Sequence, residues 1–131
     1  MKNLKVLVVD DFSTMRRIIK NILKDLGIEQ IEMAEDGVHA LSMVQHTQFD
    51  LIITDWNMPN MNGLELLKAI RKTKSIDELP VLMVTAETKR EQIVEAAKAG
   101  VNGYIVKPFS QVTLDKKIKF IFRKIYERKC A

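Results

Sequence analysis

The residues able to do chemistry together in this chain are Asp10, Asp11, Asp55, Thr85 and Lys107, and each lies where an apolar run stops. KVLVV (5–9) runs into Asp10 and Asp11, LIIT (51–54) into Asp55, VLMV (81–84) into Thr85, and YIV (104–106) into Lys107. A lone carboxylate at the end of a buried strand is costly. Three brought together repel one another, and the ordinary remedies are protonation or a bound cation. An all-oxygen set of this size suits a hard divalent ion that keeps several waters, which makes Mg2+ the natural candidate. Lys107 adds a positive charge and Thr85 a hydroxyl. A metal, a carboxylate, a hydroxyl and an ammonium are the parts that phosphoryl transfer uses. Asp55 is the candidate nucleophile, forming an aspartyl phosphate. Asp10 and Asp11 would hold the metal, while Thr85 and Lys107 bind phosphoryl oxygens.

Taken singly, each residue has a blander reading: Asp10 and Asp11 as helix N-caps, Thr85 as a strand terminus, Lys107 as a surface charge. Four separate apolar runs ending in complementary groups argue against that coincidence. No Gly-rich loop follows the first run, which disfavours a nucleotide or flavin site.

These residues need a frame. Apolar runs alternate with stretches whose apolar residues recur at three and four. KVLVV is followed by Met15, Ile18, Ile19, Ile22, Leu23 and Leu26, one helical face closed by Gly27. A weaker strand at 31–34 precedes a helix carrying Val38, Leu41 and Val44, and the strand at 51–54 follows. Asn62 with Glu65 forms a capping-box pattern, opening a helix with Leu64, Leu67 and Ile70 buried. Pro80 leads into VLMVT; Thr88 with Glu91 opens a helix burying Ile93, Val94 and Ala97, which Gly100 ends. After the strand at 104–106, Ser110 caps a final helix through Leu114, Ile118, Ile121 and Ile125. Five strand–helix units imply a parallel sheet with right-handed crossovers and helices on both faces. The expected fold is a doubly wound α/β sheet of order 2-1-3-4-5, whose ligand site lies outside the carboxyl ends of the strands.

At 131 residues the chain fits one domain, 1–131, with no linker or repeat. The first apolar run is too short for a signal peptide or membrane span, so a cytoplasmic protein is expected. Cys130 is the single cysteine, which excludes an internal disulfide. Net charge is +4, yet Lys116, Lys117, Lys119, Arg123, Lys124, Arg128 and Lys129 crowd the last helix against Glu127. The basicity is therefore local, and a solvated helix face is favoured over a nucleic-acid surface.

DDFSTMRR (10–17), DWNMPNMNGLELL (55–67), PVLMVTAE (80–87) and GYIVKPF (103–109) resemble the receiver domain of two-component signalling, in particular its single-domain chemotaxis response regulators. Those regulators are themselves a standard example of the 2-1-3-4-5 order, so the two readings are not independent. The resemblance spans nearly the whole chain. It implies that Asp55 accepts a phosphoryl group from a histidine kinase. It implies that Asp11, Asp55 and the backbone carbonyl of Asn57 ligate Mg2+, with Asp10 acting through water. Tyr104 would move inward as Thr85 shifts, and Lys89, Tyr104 and Lys117 would lie on the output face of the fourth helix, fifth strand and fifth helix. Trp56 and Glu87 are expected as site wall. The implied partners are the kinase, the flagellar motor switch and a phosphatase, with the chain a monomer and no membrane partner. Asn62 stands where the family usually has aspartate; asparagine caps a helix equally well, so phosphorylation should survive. Two other readings are a Mg2+-dependent phosphohydrolase and a related regulator serving a non-flagellar pathway. A hydrolase wants a general acid two residues after its nucleophile, and Asn57 stands there.

Overall fold

The computed structural model describes residues 3–86 and 88–130. Strands and helices alternate without exception: β1 (Lys5–Val9), α1 (Ser13–Asp25), β2 (Gln30–Ala34), α2 (Gly37–His46), β3 (Leu51–Thr54), α3 (Gly63–Arg71), β4 (Val81–Thr85), α4 (Arg90–Lys98), β5 (Gly103–Val106) and α5 (Gln111–Cys130). The strands are parallel in the order β2-β1-β3-β4-β5, as the alternation predicts. The interior runs are unbroken because both sheet faces are covered. Val6 and Val8 of β1 and Leu51 and Ile53 of β3 pack beneath α1 and α5, against Ile19, Leu23, Leu114 and Ile118. Leu7, Val9 and Ile52 point the other way, into a cluster with Ala40, Leu67, Ile70 and Ala96 of α2, α3 and α4. β2 is more exposed, as an edge strand should be.

Most terminators behave as read. Gly27 and Gly100 take positive φ, +91° and +93°, where α1 and α4 end. Asn62 and Glu65 exchange both bonds of the capping box, at 2.8 and 3.0 Å. The Ser110 hydroxyl accepts the Thr113 N–H at the start of α5.

Helix faces depart from the expectation in three places. Ile18 of α1 and Val38 of α2 are exposed. In α4 the expected core residues Ile93, Val94 and Ala97 are all exposed, and Ala96 is the buried one. Ala96 joins the core cluster while its branched neighbours face solvent. The residue before α4 is Lys89, with no side-chain cap, so Thr88 and Glu91 do not form the expected box.

At the amino-terminal end of the sheet, Arg71 ties α3, α4 and β4 together. Its guanidinium donates to the carbonyls of Gly100 and Leu79, both at 2.8 Å, and to Asn102 Oδ1 at 2.7 Å. Burial lowers its pKa to about 10, leaving it charged at neutral pH. Asn102 Oδ1 also accepts the Val81 N–H, so the network reaches the first residue of β4. Arg71→Ala removes this set of part-buried hydrogen bonds at once and should cost about 3 kcal/mol. A urea midpoint within error of the wild type would contradict that account.

Candidate functional site

The sheet order makes β1, β3, β4 and β5 consecutive neighbours. Val9 pairs with Thr54 and Thr85 with Val106, so the residues just beyond these ends emerge at one level. The hydrogen-bond ladder continues past the strands. The Asp55 N–H donates to Val9 O at 2.9 Å, the Lys107 N–H to Thr85 O at 2.9 Å, and the Asp10 N–H to Ala34 O at 3.2 Å. Backbone registry therefore delivers Asp10, Asp55 and Lys107 to the same crevice.

Asp10 is 1% exposed, Asp55 9% and Thr85 fully buried, whereas Asp11 is open to solvent. One carboxylate oxygen from each of Asp10, Asp11 and Asp55 lies within 4.8 Å of the others. Lys107 Nζ reaches between two of them, 3.0 Å from Asp10 Oδ2 and 3.3 Å from Asp55 Oδ2. The remaining oxygens are held by the chain: Asp55 Oδ1 accepts the Trp56 N–H at 2.7 Å and Asp10 Oδ1 the Phe12 N–H at 2.9 Å. Burial pushes the Asp55 carboxyl above its usual range, the Lys107 ammonium opposes the shift, and Asp10 adds to it. One ammonium faces three carboxylates. That surplus of negative oxygen donors, one side open at Asp11, fits a hard divalent cation.

Thr85, the last residue of β4, lies beside this group in the sheet. Asn57 lies in the loop between β3 and α3. Trp56 is 5% exposed and its side chain belongs to the core cluster under α2 and α3. Tyr104 is half-buried on β5, paired in register with Met83 and packed against that same cluster. Lys89 is exposed before α4, and Lys117 is partly exposed on α5. Glu87 lies outside the described residues.

Four residues that fasten the loop between β3 and α3 were not singled out from the sequence: Asp36, Gly37, Asn60 and Gly63. Asp36 Oδ1 caps α2 by accepting the His39 N–H at 2.8 Å, and Asp36 Oδ2 accepts from Asn60 Nδ2 at 2.7 Å. The Gly63 N–H donates to Trp56 O at 2.8 Å, folding the loop back on the end of β3. An aspartate three residues before a helical N–H is a readable cap signal. The link to Asn60, 24 residues away, has no local signature.

Among the described residues, no helix is long and apolar enough to cross a membrane. Residues 6–119 match the model of the response regulator receiver domain. The chain is 59% identical over 124 residues to chemotaxis protein CheY-3 of Vibrio cholerae, covering 95% of both chains. It is 57% identical over 122 residues to chemotaxis protein CheY of Pseudomonas aeruginosa, covering 93% of this chain and 98% of that one. Among solved structures, CheY4 of Vibrio cholerae superposes with a TM-score of 0.83 at 41% identity, over 90% of this chain and 98% of that one. With carboxylates, hydroxyl and lysine gathered at the carboxyl ends of a 2-1-3-4-5 sheet, and with these likenesses, the chain belongs to the response regulator receiver domain family.

Proposed function

We propose that this protein is a phosphorylation-activated response regulator of a chemotaxis-type two-component system, and that Asp55 accepts the phosphoryl group from a histidine kinase. The observation that carries the reading is the buried Asp55 carboxylate, 3.3 Å from Lys107 Nζ and sharing a cluster with Asp10 and Asp11. Asp55 Oδ2 attacks phosphorus as the bond to the donor breaks. Lys107, already poised between Asp10 and Asp55, pairs with one phosphoryl oxygen and offsets its charge, and the Thr85 hydroxyl binds another. Asp11, Asp55 and the Asn57 carbonyl, with Asp10 through water, would hold Mg2+, whose chemistry there would be to offset phosphoryl charge. Asn57 offers no general acid, so the phosphohydrolase reading has little support and any dephosphorylation by the chain itself should be slow.

The new charge must be read at a surface. α4 leaves Ile93 and Val94 exposed, with Lys89 at its start, while Tyr104 lies on β5 and Lys117 on α5. An exposed apolar pair flanked by charges of both signs, Arg90, Glu91, Glu95 and Lys98, suits an amphipathic partner segment. The flagellar motor switch is the partner we propose, with a phosphatase acting on the phosphorylated form, the protein working as a cytoplasmic monomer. Movement of Thr85 and Lys107 toward the phosphoryl group, with Tyr104 settling inward, would bias this surface between two states.

The test is binding of a flagellar-switch peptide by the full chain, with and without acetyl phosphate and Mg2+. Binding that rises on phosphorylation supports the reading. Binding indifferent to the phosphodonor overturns the switch, and phosphorylation with no peptide binding in either state moves the protein to a non-flagellar pathway. Lys107→Arg keeps the charge but not the point geometry. It should still be phosphorylated while losing most of the phosphorylation-dependent gain in binding, and an undiminished gain would contradict Lys107's assigned part.

A further inference from the structure

We propose that Asp36 and Asn60 form a clasp that positions the loop 56–62 for cation binding, making both of them positioning residues for the Asp10, Asp11 and Asp55 centre. The inference rests on reading that centre as a divalent-cation site to which Asn57 lends its backbone carbonyl. Asp36 is buried between β2 and α2, and both of its oxygens are engaged: one by the His39 N–H at 2.8 Å, the other by Asn60 Nδ2 at 2.7 Å. These bonds, the His39 one foremost, hold its carboxyl below the usual range, so the clasp is charged at neutral pH. A charge-assisted bond of this length is roughly twice as strong as a neutral one.

Asn60 has φ of +68°, the single non-glycine residue with positive φ among those described. Asparagine visits that region more readily than most residues, but at a cost. Here the Asp36 carboxylate holds it. A second bond runs alongside, from the Gly37 N–H to Met61 O at 3.1 Å. The approach is so close that a Cβ at Gly37 would stand 2.5 Å from Met61 O. Residues 60 and 61 are therefore fastened to the first turn of α2, and Gly63 closes the loop onto Trp56 O. Asn57 lies three residues before Asn60, inside this fastened segment. The aim of its carbonyl depends on the backbone angles that the clasp restrains. Asp36 does not belong to the carboxylate group within reach of one ion, so its effect on the cation must pass through the loop.

Outer partners of this kind typically change metal affinity by about 10- to 100-fold. Calorimetric titration of the full chain with Mg2+ tests the idea, with urea midpoints measured on each variant. N60G tolerates the positive φ yet lacks the amide, and N60D places a carboxylate against Asp36. Both should bind Mg2+ about tenfold more weakly. In D36N/N60D the amide and carboxylate exchange places, with the D36N oxygen still able to accept the His39 N–H, and affinity should recover. Wild-type affinity in N60G and N60D, even with lowered urea midpoints, would make the contact merely structural and overturn the proposal. So would a double variant that binds no better than N60D. A wild type that binds no Mg2+ would instead remove the cation-site reading, and the clasp's role with it.

Discussion

Asp55→Asn is expected to take up no phosphoryl group from acetyl phosphate with Mg2+, and also to be more stable than the wild type. The amide keeps the shape of the side chain but offers no anionic oxygen to attack phosphorus, so incorporation should fall to background. The stability gain has a separate cause. Burial and the neighbouring Asp10 disfavour the Asp55 carboxylate more than Lys107 favours it, so its folded-state pKa lies above the unfolded value. The charged form then works against folding. That penalty is full above the folded pKa and fades as pH falls toward the unfolded value near 4. Removing the charge should therefore raise stability at pH 7 by on the order of 1 kcal/mol. The advantage should shrink in mild acid and with saturating Mg2+, which on the proposed reading would stabilise the wild type by binding its folded form. Urea unfolding at two pH values, with and without Mg2+, measures each part. Labelling of the variant at the wild-type level would remove Asp55 as acceptor. A variant less stable than the wild type at pH 7 without Mg2+ would contradict the electrostatic account of the site.

Much of this site was readable because a parallel sheet couples sequence to position so directly. Each interior strand announces itself as an apolar run, and the residue after the run must emerge at the carboxyl edge. Asp10, Asp55 and Lys107 could be placed together on that rule, and the 3.0 and 3.3 Å contacts of Lys107 agree with it. Helix faces were less legible. In α4 the periodicity of Ile93, Val94 and Ala97 marks an apolar face, but periodicity does not say whether that face meets the sheet or the solvent. In the fold Ala96 is the residue that meets the core, and the branched pair meets solvent. Arg71 reads as an ordinary basic residue in the last turn of α3. Its value lies in carbonyls contributed by Leu79 and Gly100, which only the folded chain brings near. The pairing of Asp36 with Asn60 is hidden for the same reason, since neither residue needs the other to explain its local sequence.

Gly63→Ala is expected to cost more than about 3 kcal/mol, although alanine is the better helix former by about 1 kcal/mol. Gly63 is the first residue of α3 and packs directly on the end of β3. A Cβ there would overlap the Asp55 carbonyl oxygen and stand 3.0 Å from both the Asp55 carbonyl carbon and Met83 Sδ. The methionine sulfur can swing aside; the Asp55 carbonyl cannot, because β3 is gripped by β1 and β4 and the Asp55 N–H is bound to Val9 O. Relief must come from α3 moving away, which breaks the 2.8 Å bond from the Gly63 N–H to Trp56 O and displaces the loop that carries Asn57. The damage should therefore appear twice, as a lower urea midpoint and as weaker Mg2+ binding by whatever fraction remains folded. Gly27→Ala supplies the contrast. Gly27 has φ of +91° but nothing within 4 Å of an added Cβ, so only the left-handed strain of about 1–2 kcal/mol applies and Mg2+ affinity should not change. If Gly63→Ala proved no worse than Gly27→Ala, the close approach of α3 to the end of β3 could not be what holds the loop after Asp55 in place.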